Sequence, residues 1–248
     1  MSDLDSCPQP DSPPLQVAAP SPGRLTAVFE ILLCSGFPTQ FVLGALLILT
    51  GLGPLDGSLT LSYVVTLSLL DTVALIGLIL FVMRAHGEHP GEVFFGRRPI
   101  RGEVMAGLPL AFVALALAAV ALTALHELAP WLRTYARNPF QDLVQSTGDL
   151  VIFGLTVVIA GGIREEIQRA FLLTRFEQSL GGMRTGVAVT SIAFGAGHFV
   201  QGADATVATA LLGAFWAVVY VRRRSVVAPV VSHSLFNLTQ LAQLAIIR

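Results

Sequence analysis

The sequence predicts an all-α protein that crosses a membrane several times. Apolar residues make up 54% of the 248 residues and charged residues only 12%, whereas about a quarter of the residues in a soluble domain are charged. The mean hydropathy is +0.72. The charged residues are separated by long apolar runs, and about 20 apolar residues in a helix are enough to cross the ~30 Å hydrocarbon layer.

Seven segments are long and apolar enough to be predicted as membrane-spanning helices. In chain order they are 25–51, 59–83, 103–125, 148–172, 184–201, 204–221 and 226–247. Gly181 and Gly182 predict a turn between the fourth and fifth spans, so that these two form a hairpin. We find no internal repeat and no second domain, and residues 24–248 are therefore predicted to form a single transmembrane domain.

Residues 1–23 differ from the rest of the chain because they are rich in Pro, Ser and Asp. They lack the basic region and the short apolar region of a cleaved signal peptide. We expect a disordered cytoplasmic tail, followed by a first span that acts as an uncleaved anchor.

Arginine predicts the orientation, because cytoplasmic loops carry an excess of basic residues. With the N-terminus inside, only Arg133, Arg137 and Arg248 fall outside. The arginines on the cytoplasmic side are Arg24, Arg84, Arg97, Arg98, Arg101, Arg175, Arg184, Arg222, Arg223 and Arg224. Every basic residue is Arg and the chain is short, which favours a bacterial cytoplasmic membrane.

The composition gives no support for a nucleic-acid partner or a disulfide framework. The formal net charge is −1, and no basic patch is interleaved with aromatic residues. Cys7 and Cys34 are too few for a disulfide framework and lack metal-ligand spacing, so neither is assigned any chemistry.

Ionisable residues inside the predicted spans are the strongest indication of function, because each costs ~2.5–3.5 kcal/mol to insert and such residues usually face the protein interior. Glu30 lies near the cytoplasmic end of the first span, where it can reach the membrane surface, and a structural role is expected. Asp71 either lines a cavity or forms a hydrogen bond between helices. The other ionisable residues are Glu165, Glu166, Arg169, His198 and His233, and the neutral polar residue Asn237 lies near them in the sequence.

The two adjacent glutamates can share one arginine. At about 100° per residue, Arg169 lies between Glu165 and Glu166 around the helix and can pair with either. One carboxylate is then neutralised, and the other remains free to take a proton. Taken alone, this motif is equally compatible with an ion pair that only joins helices.

Two histidines are predicted to reach the same level as these carboxylates. If the chain turns at Gly181–Gly182, Glu165 and His198 each lie ~24 Å from the turn at a rise of 1.5 Å per residue. His233 lies near the start of the last span, at a depth similar to that of Glu165 and His198. Asn237 follows four residues later on the same helix face. These side chains are therefore expected to converge from three helices on one buried pocket.

Such a pocket has the groups that amide hydrolysis requires. We expect Glu165, beside His198, to act as the base that activates water. His233 and Asn237 are expected to donate hydrogen bonds to the developing oxyanion. No serine or cysteine nucleophile has a partner. Zinc remains an open alternative, with Glu165, His198 and His233 as its ligands, because one Glu and two His form a known catalytic set. The HExxH spacing is absent, so the sequence gives no preference for a metal.

The same residues form three motifs on successive apolar segments. They are EEIQR (Glu165, Glu166 and Arg169), FGAGH (Phe194 and His198) and HSLFN (His233 and Asn237). They resemble the EExxxR, FxxxH and HxxxN motifs of the CAAX-protease and bacteriocin-processing family, CPBP or Abi, which includes the CAAX prenyl endopeptidases, except that EEIQR places Arg169 one residue closer to the glutamates than EExxxR does. The resemblance covers about residues 100–248 and implies a catalytic core at about 145–248. It also implies that Arg169 supports the glutamates and that Phe194 packs behind His198.

For the chain as a whole, this resemblance implies an intramembrane endopeptidase that hydrolyses membrane-associated proteins or peptides. It implies that Glu165 and His198 activate water, that His233 and Asn237 form the oxyanion site, and that Glu166 supports them. The choice of Glu165 over Glu166 as the base comes mainly from the family. The prenyl endopeptidases act on prenylated C-terminal tails, whereas bacterial relatives are linked to other membrane-associated peptides.

Two other functions remain open. A catalytically idle immunity or scaffold protein would have the same fold and the same motifs. A proton-relay or transport protein would place polar residues along a path across the membrane, with repeat symmetry. Here the polar residues cluster in the C-terminal half of the chain, so we expect a protease.

Overall fold

The computed structural model describes residues 21–54, 58–135 and 139–247, and most of them are helical. The predicted all-α class is confirmed. The α-helices are α1 (Arg24–Leu33), α2 (Phe37–Leu49), α3 (Leu61–Ala85), α4 (Pro90–Phe94), α5 (Ile100–Leu128), α6 (Thr147–Thr156), α7 (Glu165–Ser179), α8 (Gly182–Gly197), α9 (Ala203–Arg223) and α10 (Val227–Ile247). A π-helical segment, Val157–Arg164, joins α6 to α7. Residues 1–20 of the predicted tail lie outside the described residues.

Among the described residues, four helical stretches are long and apolar enough to cross a membrane. They are Arg24–Leu49 (α1 with α2), α3, α5 and α9, and they correspond to the first, second, third and sixth predicted spans. The other three predicted spans contain α6 with α7, α8 and α10, which are helical but are not among these four. The multi-span class is therefore supported, while seven crossings and an inside N-terminus remain predictions.

Helix α7 lies at the centre of the packed interior. Its residues Ala170, Phe171 and Leu173 are fully buried against α3 and α9. Lipid is as apolar as these side chains, so apolar burial alone provides little drive for helices to associate within a membrane. Close packing and polar contacts between helices must therefore hold α7 in place.

One such set of polar contacts surrounds Arg175 near the end of α7. Its side chain has no exposed surface, and its guanidinium donates to Glu30 on α1 and to Glu88 beyond α3, at 2.5 to 2.9 Å. His86 Nε2 lies 2.6 Å from the other Glu30 oxygen. Arg175 is thus a buried residue that joins three segments, and its place on the cytoplasmic side stays a prediction. Glu30 is buried between Arg175 and His86, which agrees with the structural role expected for it.

The predicted turn between the fourth and fifth spans is confirmed. Helix α7 ends at Ser179 and α8 begins at Gly182. Gly181 and Gly182 have φ angles of 92° and 84°, which glycine adopts without the steric penalty of a Cβ. The reversal packs α8 against α7, and His198 therefore returns toward the end of α7 that carries Glu165.

Candidate active site

The π-helical segment brings α10 against the start of α7. π-helical turns inside α-helices are often found at functional sites, and this one ends immediately before Glu165. A Cβ at Gly161 would lie 2.6 Å from Asn237 Nδ2, and a Cβ at Gly162 would overlap Ser234. The two adjacent glycines therefore permit the close approach that places α10 beside the paired carboxylates.

Glu166 is enclosed and fully paired. Its side chain is 1% exposed and accepts hydrogen bonds from Arg169 Nε and Nη2 at 3.1 and 3.3 Å. His233 Nδ1 lies 2.9 Å from Glu166 Oε1. A carboxylate only accepts, so Nδ1 carries the hydrogen, and His233 Nε2 remains available for another partner. Arg169 also donates to the Gly213 carbonyl at 3.3 Å, which ties this ion pair to α9.

Glu165 has a different environment, although it is the next residue. Its side chain is 14% exposed, and Oε2 lies 3.9 Å from His233 Nε2. Oε1 accepts a hydrogen bond from Arg164 Nη2 at 3.1 Å. Glu165 is therefore paired through Oε1 with a second arginine, and its freedom to take a proton stays a prediction. Arg164 was overlooked in the sequence, where it directly precedes the two glutamates.

His198 follows the last residue of α8. Its Nδ1 donates to the Phe194 carbonyl at 2.8 Å, so Nε2 of a neutral ring is an acceptor. The Phe194 ring lies 4.7 Å from the His198 ring and 6.1 Å from the His233 ring, measured between centroids. Arg169 Cζ lies 4.4 Å above the same ring. Phe194 thus contacts three of the predicted site residues, whereas no hydrogen bond or ion pair joins His198 to Glu165 in the described part of the chain.

The Asn237 side chain is half-buried and loosely held. Nδ2 lies 3.5 Å from the Val157 carbonyl oxygen, at the long limit of a hydrogen bond. Its amide hydrogens therefore remain available to a stronger acceptor. Asn237 lies on the same helix face as His233, so both side chains can contact the same atom beside Glu165.

A groove beside Glu165 connects this site to the outside. It has a cavity volume of about 130 Å³ and lies between the α1–α2 connection, α7 and α8. Its charged and polar lining includes Arg164, Glu165, Gln168 and Arg169. Its apolar lining includes Ile31, Phe37, Leu172, Phe176, Val189 and Phe194. Phe37 and Val189 are 51% and 46% exposed, so the groove opens at an apolar surface.

Comparison with known families gives one result, and it covers the segment that holds this site. Residues 147–239 match the family model described as type II CAAX prenyl endopeptidase Rce1-like. These residues form an Rce1-like domain. The predicted resemblance to the CPBP family is confirmed, and with the apolar helices it identifies an integral membrane protein. No curated protein and no solved structure matches the chain.

The Rce1-like domain contains all three motifs, but the described residues provide no trio of metal ligands. No three His, Cys, Asp or Glu side chains in residues 21–54, 58–135 and 139–247 are grouped so that they could hold one ion. Glu165, His198 and His233, the set considered for zinc, are all among these residues. In this arrangement His233 Nδ1 already contacts Glu166, which leaves only Nε2 as a ligand atom.

The Rce1-like domain also contains a second contributing residue, besides Arg164, that was not predicted from the sequence. Trp216 on α9 stacks on His233, with ring centroids 3.7 Å apart and planes 16° apart. Its Nε1 donates to Ser232 Oγ at 3.2 Å. Stacking fixes the plane of the imidazole. A tryptophan in an apolar span gave no sign of this contact, because lipid-facing and buried tryptophans look alike in a sequence.

Proposed function

We propose that the protein is an intramembrane endopeptidase in which Glu165 and His198 activate water to hydrolyse membrane-associated proteins or peptides. The Rce1-like family is a CAAX protease family. The observation that carries the proposal is the contrast between the two adjacent glutamates. Glu166 is enclosed by Arg169 and His233. Glu165 lines the groove and keeps one oxygen unbonded, 3.9 Å from His233.

In the proposed reaction, His198 Nε2 accepts a hydrogen bond from a water molecule and Glu165 accepts that molecule's other proton. The water oxygen then attacks the scissile carbonyl carbon. The carbonyl π electrons move to the oxygen. His233 Nε2–H and the Asn237 amide donate to the resulting oxyanion. The carbon–nitrogen bond then breaks as the tetrahedral intermediate collapses. The leaving amine takes the proton held by Glu165, and His198 assists this transfer through Nε2.

Glu166 and Arg169 support this reaction by holding His233. The carboxylate of Glu166 accepts the hydrogen bond from Nδ1, and in the proposed reaction its negative charge offsets the second proton that Nε2 needs in order to donate to the oxyanion. Arg169 fixes Glu166 through two hydrogen bonds. Trp216 holds the ring from its face. With the imidazole held on two sides, its Nε2 is directed beside the carboxylate that activates water.

The groove favours a substrate that reaches the site from an apolar environment. Its apolar lining suits an extended segment of a membrane-anchored chain, and Glu165 and Arg164 lie where a peptide bond could be presented. The match to prenyl endopeptidases makes a prenylated C-terminal tail one candidate substrate. An unlipidated peptide held by its own apolar segment is the other.

Cleavage by purified protein in liposomes tests this proposal. The substrates are one library of prenylated C-terminal tails and one of unlipidated single-span peptides, and the products are read by mass spectrometry. We expect wild type to cleave members of at least one library, and Glu165→Gln to lose this activity while remaining folded. A chelator arm tests metal dependence, since cleavage lost on chelation and restored by zinc would assign water activation to a metal. Folded wild type that cleaves neither library would contradict the proposal and favour an idle scaffold.

A further inference from the structure

We propose that Arg164, anchored by Asp71, is a positioning residue that holds the Glu165 carboxylate in its reactive orientation. This inference rests on the proposed role of Glu165. Arg164 is only 7% exposed. Its Nη2 donates to Glu165 Oε1 at 3.1 Å, and its Nη1 lies 3.2 Å from Asp71 Oδ2. A guanidinium is planar and rigid, so fixing one end against Asp71 also fixes the end that contacts Glu165.

Asp71 is itself held by the first turn of α2. Its side chain is 1% exposed, and it accepts hydrogen bonds from Thr39 Oγ1 at 2.5 Å and from Gln40 Nε2 at 3.3 Å. A continuous series of polar contacts therefore runs from α2 through α3 to the residue before α7. Thr39, Gln40 and Asp71 all lie outside the Rce1-like domain at 147–239. The N-terminal half of the chain thus contributes to the geometry of the site.

The hydrogen bond to Glu165 indicates that Arg164 positions this carboxylate and does not only join two helices. An ion pair between Arg164 and Asp71 would join α3 to the π-helical segment without any contact to Glu165. Instead, the guanidinium is shared between two carboxylates, and its buried Nε has no hydrogen-bond partner. Glu165 is anchored through Oε1 only, which leaves Oε2 beside His233. One fixed oxygen and one available oxygen is the arrangement that an oriented base requires.

A double-mutant cycle on a cleaved substrate tests the inference. We expect Arg164→Gln to lower kcat by roughly 10- to 100-fold with KM within about threefold, because substrate binds but the base is misplaced. Asp71→Asn should lower kcat by about 3- to 30-fold. If Asp71 acts through Arg164, the double variant should lie within about threefold of Arg164→Gln. Losses that multiply in the double variant would overturn the inference, and so would unchanged kcat in both single variants.

Glu103→Gln is the matched control. Glu103 is also a buried carboxylate, paired with Arg223 by two hydrogen bonds of 2.8 Å between α5 and α9, and it does not contact Glu165. Its replacement breaks a comparable ion pair, and we expect kcat within about twofold of wild type. A loss of kcat equal to that of Arg164→Gln would show that any broken ion pair impairs the enzyme and would overturn the positioning role.

The double variant keeps the test decisive if a single variant fails to fold. Each single change leaves a buried charge without its partner, whereas the combination of Arg164→Gln and Asp71→Asn leaves two neutral amides. A folded double variant with wild-type kcat would overturn the inference. The proposed function and the role of Arg164 are contradicted by different results. Wild type that cleaves nothing contradicts the proposed function. Active wild type together with variants of unchanged kcat contradicts only the role of Arg164.

Discussion

Alanine at Gly161 should impair cleavage while leaving the fold intact. A Cβ at this position would lie 2.6 Å from Asn237 Nδ2, and ordinary contacts begin at 3.4 Å, so the amide must move by the difference, 0.8 Å. The atom in the way is the end of a side chain, and alanine is a better helix former than glycine, so folding should be little affected. A displacement of ~1 Å in a positioned catalytic group can lower the rate ~100-fold. We therefore expect kcat to fall roughly 10- to 100-fold.

The assay compares kcat and thermal unfolding of Gly161→Ala with those of Gly154→Ala. A Cβ at Gly154 meets Leu241 at 3.6 Å, an ordinary contact, so this control adds the same methyl group one to two turns away without moving a site residue. Its kcat should stay within about twofold of wild type. A folded Gly161→Ala protein with wild-type kcat would refute the reasoning, because the Asn237 amide would not be needed where the structure holds it. An equal fall in kcat in both variants would indicate that added methyl groups disturb helix packing in general.

Three further changes test other parts of the structure. Trp216→Leu removes the stack on His233 and should lower kcat about 10-fold with little change in KM, measured on the same substrate; unchanged kcat would contradict a positioning role for the stack. Arg175→Gln removes the arginine partner of buried Glu30 and half-buried Glu88 and should cost ~3–5 kcal/mol in unfolding free energy, whereas an unchanged unfolding midpoint would contradict its structural role. The hydrogen bonds from Arg224 hold the pKa of Glu177 below its usual value. The stabilisation from this pair is therefore present above the ordinary carboxylate pKa and lost as pH falls through the lowered one. Both side chains are exposed to solvent, so Glu177→Gln should lower the free energy of unfolding near pH 7 by at most ~1 kcal/mol. The variant should also lose less stability than wild type as the pH falls. A larger difference between the two proteins in pH-dependent unfolding would contradict this prediction.

The parts of the site that the sequence predicted are those that depend on regular helices. The level shared by Glu165 and His198 was derived from a constant rise on both sides of the turn. The structure has a continuous α7 and α8 joined at Gly181–Gly182, as this derivation requires, and the shared level itself stays a prediction. The sequence allowed Arg169 to pair with either glutamate, and in the structure it pairs with Glu166, three residues earlier in α7.

The parts that could not be predicted depend on irregular backbone or on contacts between distant segments. The rule of 100° per residue does not hold through the π-helical segment that ends at Arg164, so it does not predict which residues Arg164 contacts. The partners of Asp71 and Arg175 are far away in the sequence, and only tertiary packing brings them together. A single sequence gives no information about such pairs.

The number of membrane crossings is uncertain from sequence for a related reason. The segments that carry the site need polar residues, which lower their hydropathy relative to spans that only contact lipid. Helix α8 has 16 residues, fewer than the ~20 that a straight span requires. The four apolar stretches were therefore predicted more securely than the helices that hold the motifs.

The most direct test of the central claim is kcat of Glu165→Gln on a peptide that wild type cleaves. The glutamine oxygen can still accept the hydrogen bond from Arg164, so the change removes the base and preserves its anchor. We predict a fall in kcat of roughly 10²- to 10⁴-fold with KM little changed, the range expected for loss of a general base. Wild-type turnover by the folded Glu165→Gln protein would contradict the account.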